Sequence, residues 1–300
     1  LLNITTSADL TVDRRFTAIV NSVSPEFQSS GSDSGINFSV WKTLSGFKSD
    51  AADGSGEQPP PIKYDSSQFV AANGAAPTYG DVLWSEVPSG AVPDGSALKY
   101  IIHALAPDRS RRPKRLPSGL DREQAFSALV SVYFRAMIQG TVLGGPECSI
   151  GMPPLGSGVF ANDAADVMRA AVLAHAAYCA SGGSASVSIA LWSPDGSPPE
   201  DMGDWEAAAA AAPRASDIAA SIREALAPGG GPVLLSQVPP ARTTRELTAL
   251  LKRSSDPMAA EFLAARSEKD KALQKKLAAE MAAGGKWEAL LSSLSAQANS

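Results

Sequence analysis

An α/β body followed by a helical tail is the fold this sequence predicts, and three observations carry it. Over residues 1–192 short β-type runs alternate with amphipathic helical runs, the pattern of a sheet covered by helices. Two of those helical runs are amphipathic, and one has a start signal at Asp121. Beyond residue 202 the β-type runs stop, and alanine with apolar residues at spacings of three and four takes over. A chain of 300 residues holds one large domain or two small ones. The expected division is a body at 1–200 and a linker with helical extension at 201–300.

Six β-type runs stand at 2–6, 16–21, 81–87, 100–105, 149–152 and 186–192. Between the fourth and fifth, residues 122–139 carry Phe126, Leu129, Val130, Tyr133, Phe134, Met137 and Ile138 along one helical face, with Asp121 as N-cap. Residues 163–180 repeat the pattern through Ala164, Val167, Ala171, Val172, Ala174 and Tyr178. Residues 48–78 are rich in Gly, Pro, Ser and Asp without an apolar period and read as a long surface excursion. Residues 109–117 open with five cations in seven positions, Arg109, Arg111, Arg112, Lys114 and Arg115. That run is either a phosphate or RNA contact or a solvated basic loop.

Residues 193–204 are turn-rich, and the alanine run 207–212 stops at Pro213. Helices are expected at 216–227, 243–253 and 256–283, the last with Asp256 as N-cap, Pro257 at its first position and Gly284 beyond its end. Its apolar Phe262, Leu263, Leu273, Leu277 and Met281 form a thin stripe that packs on the body, on a partner protein or on a second copy.

Composition excludes several function classes. With 26 Lys and Arg against 31 Asp and Glu the chain carries a net charge of −5, so no general positive field draws in nucleic acid or anionic lipid. An anionic ligand must be held by local geometry. Two cysteines, Cys148 and Cys179, exclude a disulfide scaffold or a four-cysteine zinc site, and the two histidines, His103 and His175, leave little for a metal. Neither a metal nor a cofactor is expected. The free thiols point to an intracellular, reducing setting. No run of 18 apolar residues and no leader-like start argue against a membrane span or signal peptide. The opening on Leu1 reads as a processed product or a piece of a longer protein.

The stretch ADLTVDRRFTAIVNSVSPEF resembles the opening of macrodomains, the family that binds ADP-ribose. Those domains carry a G-D-I-T turn, a strand ending I-V-N-A-A-N, then a glycine-rich loop and a helix. Here Ala8, Asp9, Leu10 and Thr11 stand for the turn, Ile19, Val20 and Asn21 for the strand end, and SSGSDSGIN at 29–37 for the loop and helix start. Four further blocks agree in order: GDVLWSEV at 80–87, YIIHALAP at 100–107, SIGMPPLGSGVFA at 149–161 and SVSIALW at 186–192. The resemblance spans about residues 1–195 and implies a three-layer α/β/α body on a mixed sheet.

It also implies a site. Asp9, with Leu10 beside it, would take the adenine amino group, though alone Asp9 reads as a turn or cap residue. Asn21 would meet the distal ribose. Ser30, Gly31 and Ser32 would form the first loop, and Gly156, Ser157, Gly158, Val159 and Phe160 the second, a diphosphate cradle of backbone amides at a helix N-terminus. The same Gly-Ser-Gly can equally be a tight turn. Phe160 would lie beside the ribose and Trp192 near the adenine, while aromatics at strand ends are also common core residues. His103 matches a framework position, and His175 reads as an ordinary helix residue.

Departures bear on catalysis. Ser24 stands where hydrolytic members have their second Asn, and Ser29, Ser30, Gly31 and Ser32 replace a triple-glycine loop. Asp33 aligns with the acidic residue that some members use to orient water. Asp33 and Ser24 are therefore the catalytic candidates, and hydrolysis is expected to be weak. Two functions follow: a module for ADP-ribose or ADP-ribosylated protein with at most weak ADP-ribosyl hydrolase activity, or a macrodomain-like fold retained for assembly of a larger protein or complex.

Overall fold

The computed structural model describes residues 2–25, 27–30, 33, 35–46, 59–67, 69–70, 74–109, 119–158 and 160–210. In chain order these form β1 (Asn3–Ser7), β2 (Ala18–Val23), β3 (Gln28–Ser29), α1 (Gly35–Ser45), β4 (Ile62–Lys63), β5 (Val82–Glu86), β6 (Tyr100–Leu105), α2 (Arg122–Gly144), β7 (Ser149–Met152), α3 (Ala164–Ala180), β8 (Ser186–Trp192) and α4 (Met202–Ala210). Six strands make one sheet in the order β1-β8-β7-β2-β6-β5. Five are parallel and only β5, at the edge, runs against its neighbour β6.

Alternation along the strands sorts the core into layers. Ala18 and Val20 of β2, Ile102 and Ala104 of β6, and Val187, Ile189 and Leu191 of β8 face the main cluster, which α2, α3 and α4 complete. Ile19, Ile101 and Ala190 point the other way, to a second cluster with Leu10, Phe16 and Val40 of α1, joined by Ile36 and Leu44 one helical turn to either side. Helices thus cover both faces, and the mixed three-layer α/β/α body is as expected.

Local chemistry explains the helix ends. Asp121 accepts from the Gln124 amide at 2.8 Å while the Gln124 side chain accepts from the Asp121 amide at 3.1 Å, a complete capping box. The helix α2 runs to Gly144, five residues past the expected end at 139, and stops where Gly145 takes φ 67°. It is long and apolar enough by length and composition to cross a membrane. Here it is a core helix, with Phe126, Leu129, Val130, Tyr133 and Met137 buried between the sheet and α3.

Two expectations are corrected. The stretch 193–204, read as turns, already starts α4 at Met202, because Trp205 inserts into the main cluster at 2% exposure. The excursion at 48–78 is not all surface. Its Ile62 and Lys63 pair antiparallel with Ser29 and Gln28, and Tyr64 and Phe69 pack on a third small cluster of Val23, Phe27, Leu83 and Leu105. A two-residue strand has no period to read. Arg111, Arg112, Lys114 and Arg115, the tail helices from 216 onward and the contacts expected of them lie outside the described residues.

Candidate functional site at the carboxyl ends of the parallel strands

Five parallel strands send their connections out at one end of the sheet, after Ser7, Val23, Leu105, Met152 and Trp192. From β2 the chain moves toward β5 and β6, and from β7 it moves the opposite way, to β8. Such a divergence between neighbouring strands opens a crevice where ligands of α/β sheets bind. The ladder between β2 and β7 holds only Ala18 with Ile150 and Ile19 with Gly151, so the two strands part before their carboxyl ends. The loops at 24–33 and 153–162 flank that parting.

On the β2 side the last turn of strand presents Asn21, fully buried. Its Nδ2 donates to Asn37 Oδ1 at 2.9 Å and to Ser29 Oγ at 3.3 Å, and lies 3.5 Å from His103 Nδ1. Its Oδ1 is buried with no hydrogen-bond partner. Asn37, on the first turn of α1, donates from Nδ2 to Gln28 O at 3.1 Å and to Asp33 Oδ2 at 2.8 Å. Ser29 Oγ donates to Asn37 Oδ1 and meets Tyr64 Oη at 2.5 Å. The Tyr64 ring stacks on His103 with centroids 3.5 Å apart. Burial pushes the Tyr64 phenol up to about 12 and the His103 imidazole down to about 3. A neutral His103 accepting at Nδ1 donates from Nε2 to Ser85 Oγ at 2.9 Å.

Among the catalytic candidates, Asp33 spends one carboxylate oxygen on the loop itself, accepting from the Ser30 amide at 2.7 Å and from Asn37. The Asp33 amide answers to Ser30 O at 3.1 Å. Ser24 opens a turn in which its carbonyl accepts from the Phe27 amide at 2.9 Å, with Phe27 at φ 46° and its ring buried. Gly31 and Ser32 lie outside the described residues.

On the β7 side the main chain does the holding. Gly156 takes φ 77°, and a Cβ there would sit 2.8 Å from Asn162 Nδ2. That amide donates to Pro107 O at 2.7 Å and to Gly156 O at 2.9 Å, fastening the loop after β7 to the end of β6. Ser157 Oγ donates to Pro154 O at 2.9 Å, and Gly158 is exposed with nothing within 4 Å of an added Cβ. Val159 lies outside the described residues. Phe160 is 6% exposed and belongs to the main cluster, so its packing is that of a core aromatic.

The N-terminus of α3 is already capped. Asp163 accepts from the amides of Ala165 and Asp166 at 3.0 and 3.3 Å, so those helix amides are turned to a carboxylate of the chain's own.

Around these loops, Asp9 Oδ1 accepts from the amide and hydroxyl of Thr11 at 2.9 and 2.7 Å, a turn that its side chain closes. Leu10 is buried against Phe16 and Ile19. Trp192 ends β8 at 71% exposure, a flat apolar face in solvent. His103 is an interior residue, as its framework position implied. Sequence reading missed Tyr64, Asn37 and Asn162 as parts of the site. The only signal for Tyr64 was a lone aromatic following β-type Ile62 in a Pro- and Ser-rich stretch.

Comparison with solved structures finds macrodomains. The fold is similar to that of macrodomains. The Oceanobacillus iheyensis macrodomain with ADP matches at 15% identity and a TM-score of 0.43, covering 66% of this chain and 84% of that one. A mutant of the same domain with ADPR matches at 16% and 0.45, covering 68% and 88%. The macrodomain of Mycobacterium tuberculosis DarG matches at 16% and 0.38, covering 64% and 99%. No family profile matches the chain, and no curated protein does. At this distance the site has to be read from its own residues.

Proposed function

We propose that residues 1–200 form an ADP-ribose-binding module with at most weak hydrolase activity toward ADP-ribosylated protein. The observation that carries it is the parting of β2 and β7 at the point where their connections diverge, with Asn21 on one side and a glycine loop on the other. The order of the sequence blocks supports the same reading. In it, the diphosphate lies along the loop containing Gly156, Ser157 and Gly158, the terminal ribose reaches Asn21, and Asp9 and Trp192 stand toward the adenine. Contacts of the tail with a partner or second copy, or of residues 109–115 with RNA, would be additions.

Hydrolysis requires a water held against the anomeric carbon of the terminal ribose. Asp33 is the candidate to orient it, but one of its oxygens is bound to Ser30 and Asn37. Ser24 is shorter than an Asn and lacks its pair of amide donors. Slow turnover follows from both. The second reading, a scaffold without catalysis, draws on the same network, since Ser29 and Asn37 already use the donor end of Asn21.

Thermal unfolding in ADP-ribose, with AMP and ribose-5-phosphate as controls, tests binding. At 100 times Kd a single site stabilises by about 2.7 kcal/mol, a shift of several degrees. No shift at millimolar ADP-ribose would leave the scaffold reading.

A further inference from the structure

One end of the Asn21 amide is committed by a chain of hydrogen bonds that begins in the 59–67 segment, outside the resemblance to any family block. Several groups in that chain have fixed roles. Gln28 O is a carbonyl oxygen and can only accept, and Asp33 Oδ2 accepts from the Ser30 amide, so the Asn37 group facing both is the NH2. Asn37 therefore turns Oδ1 toward Asn21 and Ser29. Ser29 gives its one proton to that oxygen and is left to accept, from Asn21 Nδ2 and from the Tyr64 phenol 2.5 Å away. Both hydrogens of the Asn21 NH2 are thus spent inside the chain. Its carbonyl oxygen is the end left over, buried and without a partner.

We propose that Tyr64 is a positioning residue: through Ser29 and Asn37 it locks Asn21 with the carbonyl oxygen as the ligand's hydrogen-bond partner, so that the site selects a terminal sugar hydroxyl that donates. This rests on the ADP-ribose reading and specifies how the distal ribose is recognised. The ring stack on His103 holds the phenol in place, and the short antiparallel pair of β3 and β4 delivers it. Without the phenol, Ser29 is free to turn its proton toward Asn21, and the amide loses the constraint that leaves its oxygen as the unpaired end. A buried acceptor that lacks its donor is strongly discriminating, because a ligand without the hydroxyl leaves it unpaired.

Calorimetry with ADP-ribose and with ADP, which lacks the terminal ribose, tests this on the unaltered chain, Tyr64→Phe and Ser29→Ala. Tyr64→Phe keeps the ring on His103, and Ser29→Ala breaks the same relay with Tyr64 untouched. The expected result is a loss of about tenfold in ADP-ribose affinity in either variant, with ADP affinity within about twofold of the unaltered chain. Equal losses for both ligands would make Tyr64 merely structural and overturn the proposal, as would unchanged or tighter ADP-ribose binding. If Tyr64→Phe does not fold, Ser29→Ala decides alone. An unaltered chain that binds ADP and ADP-ribose equally removes the ribose from Asn21 and overturns this inference while leaving the module a nucleotide binder. An unaltered chain that binds neither ligand overturns the functional reading itself.

Discussion

In the loop after β2, side chains hold one another: Asn21, Ser29, Asp33, Asn37 and Tyr64 form one connected set, and His103 closes it from β6. In the loop after β7 the holding falls mainly to main-chain groups and one glycine at positive φ, to which Asn162, Ser157 and Tyr133 hydrogen-bond. The first half is sensitive to the chemistry of its side chains and tolerant of small backbone changes. The second is the reverse. A ligand spanning both would meet a fixed hydrogen-bond pattern at one end and a shaped backbone at the other, which suits a sugar opposite a diphosphate.

The largest effect is expected where the backbone half is blocked without being deformed. Gly158→Glu places a carboxylate in the loop, and nothing lies within 4 Å of the new Cβ, so the fold should hold. ADP-ribose affinity should fall by roughly 100-fold or more, about 2.7 kcal/mol, with an unchanged melting temperature. Unchanged affinity would take this loop out of the site. Two residues earlier the outcome reverses. Gly156→Ala has to accommodate a Cβ 2.8 Å from Asn162 Nδ2 at φ 77°, and should lower stability by about 2 kcal/mol in urea unfolding.

Acid probes the side-chain half. Unfolded His103 takes up a proton below its ordinary value of 6.5, whereas burial holds it at about 3 in the fold. The stability it contributes is fully present above pH 6.5 and is lost as the pH falls toward 3. Between pH 7 and pH 5 this residue alone removes about 2 kcal/mol. His175, pushed down to about 4 by burial on α3, bends the curve the same way. His103→Gln should flatten the slope of unfolding free energy against pH over that interval, and an unchanged slope would contradict the buried neutral imidazole.

The smallest effect concerns turnover. Ser24→Asn should raise release of ADP-ribose from a mono-ADP-ribosylated protein by about tenfold, near 1.4 kcal/mol in the barrier, followed by a gel or mass assay. If the unaltered chain already turns over rapidly, Asp33 places the water without help from position 24.

The contrast between the two loops also explains what was legible in the sequence. Five of the six strands of the main sheet agree within a residue at each end with their β-type runs, and Asp121 caps its helix as read, because alternation, helical spacing and capping are local signals. The backbone-built loop was legible too, since Gly156 and Gly158 advertise a curl. The side-chain network was half visible: Asn21, Ser29, Asp33 and Asn37 stood in aligned blocks, though nothing singled out Asn37, and Tyr64 joins them only through the fold. Tyr64 sits on a two-residue strand whose pairing, Lys63 with Gln28 and Ile62 with Ser29, leaves no pattern in one dimension. Nor does spacing show that Asp163 spends the first amides of α3 on a cap.

The position of β2 has a consequence for the order in which the molecule assembles. This strand lies inside the sheet, yet Ala18 finds its partners only at Tyr100 and Ile150, so one neighbour follows about 80 residues later in the chain and the other about 130. Parallel pairing of that kind is non-local and slow to nucleate. The two loops of the site meet only when β7 docks beside β2, after α2 has crossed the sheet. A refolding chain should therefore regain helical signal before it regains the ability to hold a ligand, and neither half of the chain, expressed alone, carries half a site.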